Sequence, residues 1–342
     1  MQITLLIGWL LLLSSSLRAD LKEPGWNPRV KAKLNQLIQS QRGKALPVVF
    51  DFDNTLLCRD IGEATLGVMA KSGTLTVKNI PIGITPIAVQ GQNIADIYEK
   101  LLDSTKHHSA DKAPYLNAYA WTVQIMAGHT PQEIVDATAI AYGNGTPSSD
   151  VKKPYLYPEM VELVAELRKA GFDVWVISAS NVWSVRWMVT SPLNALLQKR
   201  GVQNGIPADH VIGINTLLEG PDAKLYKDQF LTQENPSYGA GEFAELSKYR
   251  LSTQIVHPLS ASYGKAAIIL ERIGKTPYLV AGDSPNDHGM LSMAKNKLWI
   301  ARTDKPAYLQ ETKMLAAKTQ PATWMYQSAS TGQSHGFLKN HN

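Results

Sequence analysis

Short apolar runs and longer amphipathic stretches alternate along most of this chain. The runs at 46–50, 172–177, 211–214, 277–281 and 297–300 have the length of strands. Helical spacing fills the intervals. Val30, Leu34 and Leu37 recur on one face, and 158–170, 182–199, 265–273 and 285–294 read as helices. Strands alternating with helices of about 10–15 residues predict βαβ units and a parallel sheet, hence a Rossmann-like α/β core.

Residues 58–156 break this rhythm. Helical patterns at 94–102, 116–126 and 131–141 are separated by turn-rich stretches such as Gly143-Asn144-Gly145-Thr146-Pro147. The pattern predicts a mostly helical cap inserted after the first core strand. Residues 20–57 then supply an N-terminal helix and that strand, and 157–342 the rest of the core. A second stretch, 217–262, is rich in Gly, Pro, Ser and Tyr. It is long for a loop without structure of its own, so a hairpin or small flap is expected there.

The N-terminus has another character. Residues 3–13 are apolar apart from Thr4 and Gly8, and Ser14-Ser15-Ser16-Leu17-Arg18-Ala19 follows. A helix needs about 20 apolar residues to span a bilayer, so this run is too short. It matches a secretory signal over 1–19, with a periplasmic or secreted protein as the expectation. An uncleaved anchor is the rival reading. With the leader removed, no stable membrane span is expected.

Composition narrows the class further. With 44% hydrophobic and 18% charged residues, the chain is globular, and 342 residues suffice for one large core or two domains. The net charge of +5 comes from scattered Lys and Arg rather than from a run, which argues against a nucleic-acid surface. The lone cysteine, Cys58, excludes an intrachain disulfide and reads as a small buried residue. Nothing in the pattern fixes an oligomeric state.

The chemistry gathers at strand ends. Asp51-Phe52-Asp53-Asn54-Thr55 follows the first strand, Ser178 the second, and Gly282-Asp283-Ser284-Pro285-Asn286-Asp287 a later one; Lys265 opens a helix after Gly264. Carboxylates two positions apart on an extended chain point the same way. The carboxyl ends of parallel strands share the edge where open α/β sheets bind ligands. Acids converging there can hold a hard cation or divide nucleophilic and acid/base work. Gathered carboxylates repel unless a divalent cation sits among them, and a lysine with hydroxyls suits a phosphoryl group. The set calls for Mg²⁺ and a phosphate ester.

In order and separation, these segments resemble the four motifs of the haloacid dehalogenase superfamily of phosphatases, over about residues 46–302. The resemblance implies that Asp51 attacks phosphorus to form an aspartyl-phosphate and that Asp53 serves as general acid and then base. It implies that Thr55, Ser178 and Lys265 hold the phosphoryl group. Mg²⁺ would lie between Asp51, the backbone carbonyl of Asp53 and Asp283, with Asp287 in support. Asp53 favours phosphate esters over carbon–halogen bonds, because only an alkoxide needs protonating.

The helical insertion resembles the type 1 cap of the phosphoserine phosphatase branch, which closes over small substrates. A small phosphomonoester is therefore the expected partner. The position where that branch places an acid for the substrate amine is Asp60, with Glu63 one turn on. The segment from Ile177 to Trp183 also resembles secreted relatives, phosphorylcholine phosphatases among them. Tyr98, Tyr115, Tyr119, Trp121, Trp183 and Trp187 add aromatic faces. Such faces can hold a quaternary ammonium, although packing explains most of them equally well. A phosphorylated amino alcohol is the leading substrate class. The rivals are a broad secreted phosphatase without amine preference and a protein that binds phosphorylated ligands without turnover.

Overall fold

The computed structural model describes residues 19–85, 92–106, 113–143, 152–228, 247–332 and 336–339. The predicted leader, apart from Ala19, lies outside them. Among the described residues no helix is long and apolar enough to cross a membrane.

Twelve strands are numbered in chain order. They are β1 (Pro47–Phe50), β2 (Leu57–Cys58), β3 (Tyr155–Leu156), β4 (Asp173–Asn181), β5 (Val211–Ile214) and β6 (Thr216–Glu219), then β7 (Leu225–Tyr226), β8 (Arg250–Ile255), β9 (Leu279–Gly282), β10 (Asn296–Arg302), β11 (Trp324–Ser330) and β12 (Gly336–Leu338). Seven form the central sheet in the order β12-β11-β10-β9-β1-β4-β5. All neighbours are parallel except β11 and β12. The five predicted strand runs thus lie side by side, with β1 in the middle. Its four residues are all buried, as expected for a strand covered on both faces.

Two segments extend the sheet beyond the sequence reading. β11 carries a polar residue, Gln327, that is fully buried. The amide accepts from the backbone of Asn27 at 2.8 Å and donates to the Gly25 carbonyl at 3.3 Å, tying the N-terminal segment to the sheet edge. The helix Pro28–Ser40 starts there, capped by Asn27 with proline in its first turn, and buries Val30, Leu34 and Ile38.

Two predicted helices form over their predicted spans, each with a π-helical turn in it. The 182–199 stretch runs as Val182–Met188, a wide turn over Val189–Leu193 and Asn194–Lys199. Pro192 sits in that turn, where its missing N–H and its ring break the ladder. The 265–273 stretch runs as Tyr263–Ile268 and then a wide turn ending at Gly274, whose φ is +65°.

After β1 the chain makes the two-residue strand β2, which pairs antiparallel with β3 where the chain returns. Between them lie the helices Ile61–Lys71, Ile94–Lys106, Ala113–Gln124 and Pro131–Tyr142. Side chains fasten this cap to the core. Thr138 bridges Thr65 at 3.0 Å and Ser184 at 2.9 Å, and the Asn181 amide meets the Met126 sulfur at 3.3 Å. In the 217–262 stretch, β6, β7 and β8 form a three-stranded antiparallel sheet. β8 docks on the cap, where Leu251 exchanges backbone hydrogen bonds with Gly128 and His129 and the Gln124 amide donates to the Thr253 carbonyl at 2.9 Å.

Candidate active site

β1 delivers Asp51 at its carboxyl end, and the chain then turns sharply. Asn54 adopts φ +57°, which its short polar side chain tolerates, and Arg59 adopts φ +74°. The Asn54 N–H donates to the Arg59 carbonyl at 3.1 Å, and the Arg59 N–H returns to Asn54 Oδ1 at 3.0 Å. This closed loop holds Asp51, Asp53 and Thr55 at the sheet edge, all buried.

Asp51 is gripped from two sides. Thr55 Oγ1 donates to Oδ2 at 3.1 Å, and Lys265 Nζ donates to Oδ1 at 2.6 Å. Lys265 is itself buried and also donates to Asp287 Oδ1 at 2.6 Å. Burial alone would push its ammonium down, but the charges of Asp287 and Asp51 outweigh that and keep it protonated. Burial pushes the Asp51 carboxyl up to about 7, the Asp287 charge pushes the same way, and Lys265 opposes both.

Asp283 and Asp287 follow β9. Asp287 Oδ2 accepts from the backbone N–H groups of Asp283 at 3.0 Å and Ser284 at 3.2 Å, a reciprocal cap that locks the loop. Gly282 makes room for it, because a Cβ there would come within 2.6 Å of the Asp287 side chain. Asn286 accepts from the Ser262 N–H, linking this loop to the helix that carries Lys265. Oxygens of Asp51, Asp283 and Asp287 lie within 4.8 Å of one another, all buried. An all-oxygen donor set of this kind fits a hard divalent cation.

The Asp53 side chain is held apart from that cluster. Its Oδ2 accepts from Ser178 Oγ at 3.0 Å and Ser180 Oγ at 2.7 Å, and its Oδ1 from the Ile61 N–H at 2.7 Å. Burial, then the charges of Asp60 and Asp51, raise its carboxyl well above the ordinary range. A shift in that direction favours the protonated form, which is the form a general acid needs. Ser178 therefore meets Asp53 here, rather than standing free for a phosphoryl oxygen.

At the cap edge Asp60 caps the helix Ile61–Lys71, accepting from the Glu63 N–H at 2.8 Å. It also lies 3.5 Å from Ser180 Oγ. Glu63 is exposed as a residue, and its carboxyl is pushed up to about 8, first by desolvation and then by the Asp60 charge. Of the aromatic set, Tyr98, Trp121 and Trp183 are buried in the core. The indole of Trp121 donates to Thr85 at 3.1 Å. Trp187 packs edge-on to Tyr142 at 6.4 Å. The Tyr115 side chain lies outside the described residues. Cys58 is buried and unpaired in any disulfide.

Three residues at the site had no motif to announce them. Ser180 was visible only as the second serine of Ser178-Ala179-Ser180, where the alternation of a strand puts both hydroxyls on one side. Arg302 and Asp304 sit at and beyond the end of β10. The Arg302 guanidinium donates to Asp283 Oδ2 at 3.1 Å and forks onto Asp304 at 2.8 and 3.3 Å.

Comparison with known proteins bears on this geometry. The family model of haloacid dehalogenase-like hydrolases matches residues 48–292. Phosphorylcholine phosphatase of Pseudomonas aeruginosa is 29% identical over 308 residues, covering 84% of this chain and 82% of that protein. A solved structure of a functionally unknown protein from Anaerococcus prevotii superposes with a TM-score of 0.60 at 16% identity, covering 94% of this chain and 97% of that one. A substrate-bound phosphoserine phosphatase covers 78% of this chain and 90% of its own, at 14% identity and a TM-score of 0.41.

Proposed function

We propose that this chain, which belongs to the haloacid dehalogenase-like hydrolases, cleaves a small phosphorylated amino alcohol such as phosphocholine. It is a phosphoric monoester hydrolase. The substrate, the covalent intermediate and the choice of Mg²⁺ are the proposal. One observation carries it. Two acids leave the same strand end, yet Asp51 lies among a lysine and two further carboxylates while hydroxyls and a helix N–H hold Asp53 apart. That separation assigns different work to each.

An Asp51 oxygen attacks phosphorus, and the ester P–O bond breaks. The departing alkoxide takes the proton that Asp53 holds. Asp53 then accepts a proton from water, whose oxygen attacks the aspartyl-phosphate and returns Asp51 and free phosphate. Lys265 and Thr55 fix the nucleophile during both displacements. Asp51, Asp283 and Asp287, with the Asp53 carbonyl, would hold Mg²⁺, which offsets the charge between an anionic nucleophile and an anionic phosphate. The amine preference draws support from Glu63, exposed at the cap edge beside Asp60, and from the similarity to the Pseudomonas phosphorylcholine phosphatase. The buried aromatic residues lend it nothing. A periplasmic or secreted location belongs to the same proposal, since the leader is read from sequence alone.

The test compares phosphocholine, phosphoethanolamine and a plain alkyl phosphate that lacks the amine, with Mg²⁺ present. A kcat/KM at least about ten-fold higher for the amines is expected, worth about 1.4 kcal/mol of transition-state binding. Equal values would remove the amine site and leave a broad phosphatase. Asp51→Asn is expected to abolish turnover of all three; persistent turnover would sink the nucleophile assignment.

A further inference from the structure

The side chain that ends β10 has a task at the cation site. In the β9–β10 pairing, Trp299 lies opposite Gly282, where β9 ends, and β10 runs three residues further, so that Arg302 at its end reaches Asp283 just past the end of β9. Arg302 is largely buried, its side chain 14% exposed, and that of Asp283 is 4% exposed. One terminal nitrogen of the guanidinium donates to Asp283 Oδ2 at 3.1 Å. The other terminal nitrogen and Nε fork onto the two oxygens of Asp304 at 2.8 and 3.3 Å.

A cation next to a divalent-metal site has two opposed effects. Its charge repels the metal, while its hydrogen bond fixes the ligand. Asp304 decides between them. A bidentate carboxylate neutralises the guanidinium and locks its plane. The pair then offers Asp283 a rigid donor with little net charge. Oδ2 is held by that donor, while the Asp283 carboxylate keeps an oxygen within 4.8 Å of oxygens of Asp51 and Asp287.

We infer that Arg302 is a positioning residue that orients Asp283 for the divalent cation, and that Asp304 is the counter-charge that makes this favourable. The inference rests on the metal assignment proposed above. Partners that orient a metal ligand typically change metal affinity by about 10–100-fold when removed.

Calorimetric titration of Mg²⁺ into the substrate-free protein tests it. Arg302→Gln is expected to weaken binding by about 10–100-fold. Arg302→Lys keeps the charge but loses the fork, so it should fall between the two. Asp304→Asn leaves the guanidinium uncompensated and should weaken binding several-fold, more at low than at high ionic strength. With Mg²⁺ raised to saturation, each variant should regain most of its kcat with an unchanged KM. Unchanged or tighter Mg²⁺ binding by Arg302→Gln or Arg302→Lys would overturn the orienting role. Unaltered binding by Asp304→Asn would overturn the counter-charge role. Wild-type protein that binds no Mg²⁺ would instead remove the metal assignment, and this inference with it. Should Arg302→Gln fail to fold in chelator, the Lys and Asn variants still decide the matter.

Discussion

At the residue scale the proposed mechanism turns on what favours the protonated form of Asp53. Burial is the largest influence, and the charges of Asp60 and Asp51 act in the same direction. The Ile61 N–H and the Ser180 hydroxyl act against them, because each stabilises the carboxylate. Two substitutions should therefore move the alkaline limb of kcat/KM oppositely. Ser180→Ala removes a donor to the charged form, raises the Asp53 pKa and carries the limb to higher pH. Asp60→Asn removes a neighbouring negative charge, lowers the pKa and carries the limb to lower pH. Shifts of about half a unit or more are expected, from the general link of hydrogen bonds and charges to pKa. Movement of both limbs in the same direction would show that Asp53 does not govern the profile. Asp51, Asp53, Lys265 and Asp283 stood out in the sequence because strand ends in a parallel sheet converge. Ser180, Arg302 and Asp304 did not, because a lone polar residue at a strand end looks like any solvated one. Only the sheet order, which brings β10 beside β9, gives Arg302 its partner.

At the scale of elements, periodicity revealed what burial dictates and missed what local exceptions permit. The strand β1 was legible because all four of its residues are apolar and buried. β11 was not, because Trp324-Met325-Tyr326-Gln327-Ser328-Ala329-Ser330 is only half apolar and its buried Gln327 is satisfied by a segment some 300 residues away. The helix predicted over 182–199 forms, but it holds a π-helical turn around Pro192 that a hydrophobic pattern does not register. The cap helices were legible, but their attachment was not. β8 reaches the cap through Leu251, which is 2% exposed and bonded in both directions to the Gly128–His129 turn. Leu251→Ala should cost about 2–4 kcal/mol of stability through the cavity it leaves. Hydrogen exchange should speed up in Ala113–Gln124 and β8 before it does in β1 or β9. Equal loss of protection in all four would show that cap and core open as one unit.

For the whole molecule, the proposed cation site would couple proton, cation and fold. Without cation, folding buries Asp51 beside Asp287 and raises its carboxyl from an ordinary value to about 7; Asp283 is raised too, mainly by burial. Between those limits the folded state binds more protons than the unfolded chain, so stability falls as pH rises through the window. Lys265 acts with the same sign in a higher window, since its raised pKa adds stability that is lost only at alkaline pH. Divalent cation needs the same carboxylates deprotonated, so its binding must release protons. Two trends follow for thermal unfolding. In chelator, the melting temperature should fall as pH rises from about 5 to about 7.5. With Mg²⁺ in excess, the gain in melting temperature should be larger at the higher pH, by about 2 °C or more, because stabilisation grows with the ratio of cation to its dissociation constant. Calorimetry in buffers of different ionisation enthalpy should register the released protons near neutrality. A Mg²⁺ gain that is independent of pH would mean that the carboxylates are already ionised, and that Lys265 rather than bound protons balances their charge.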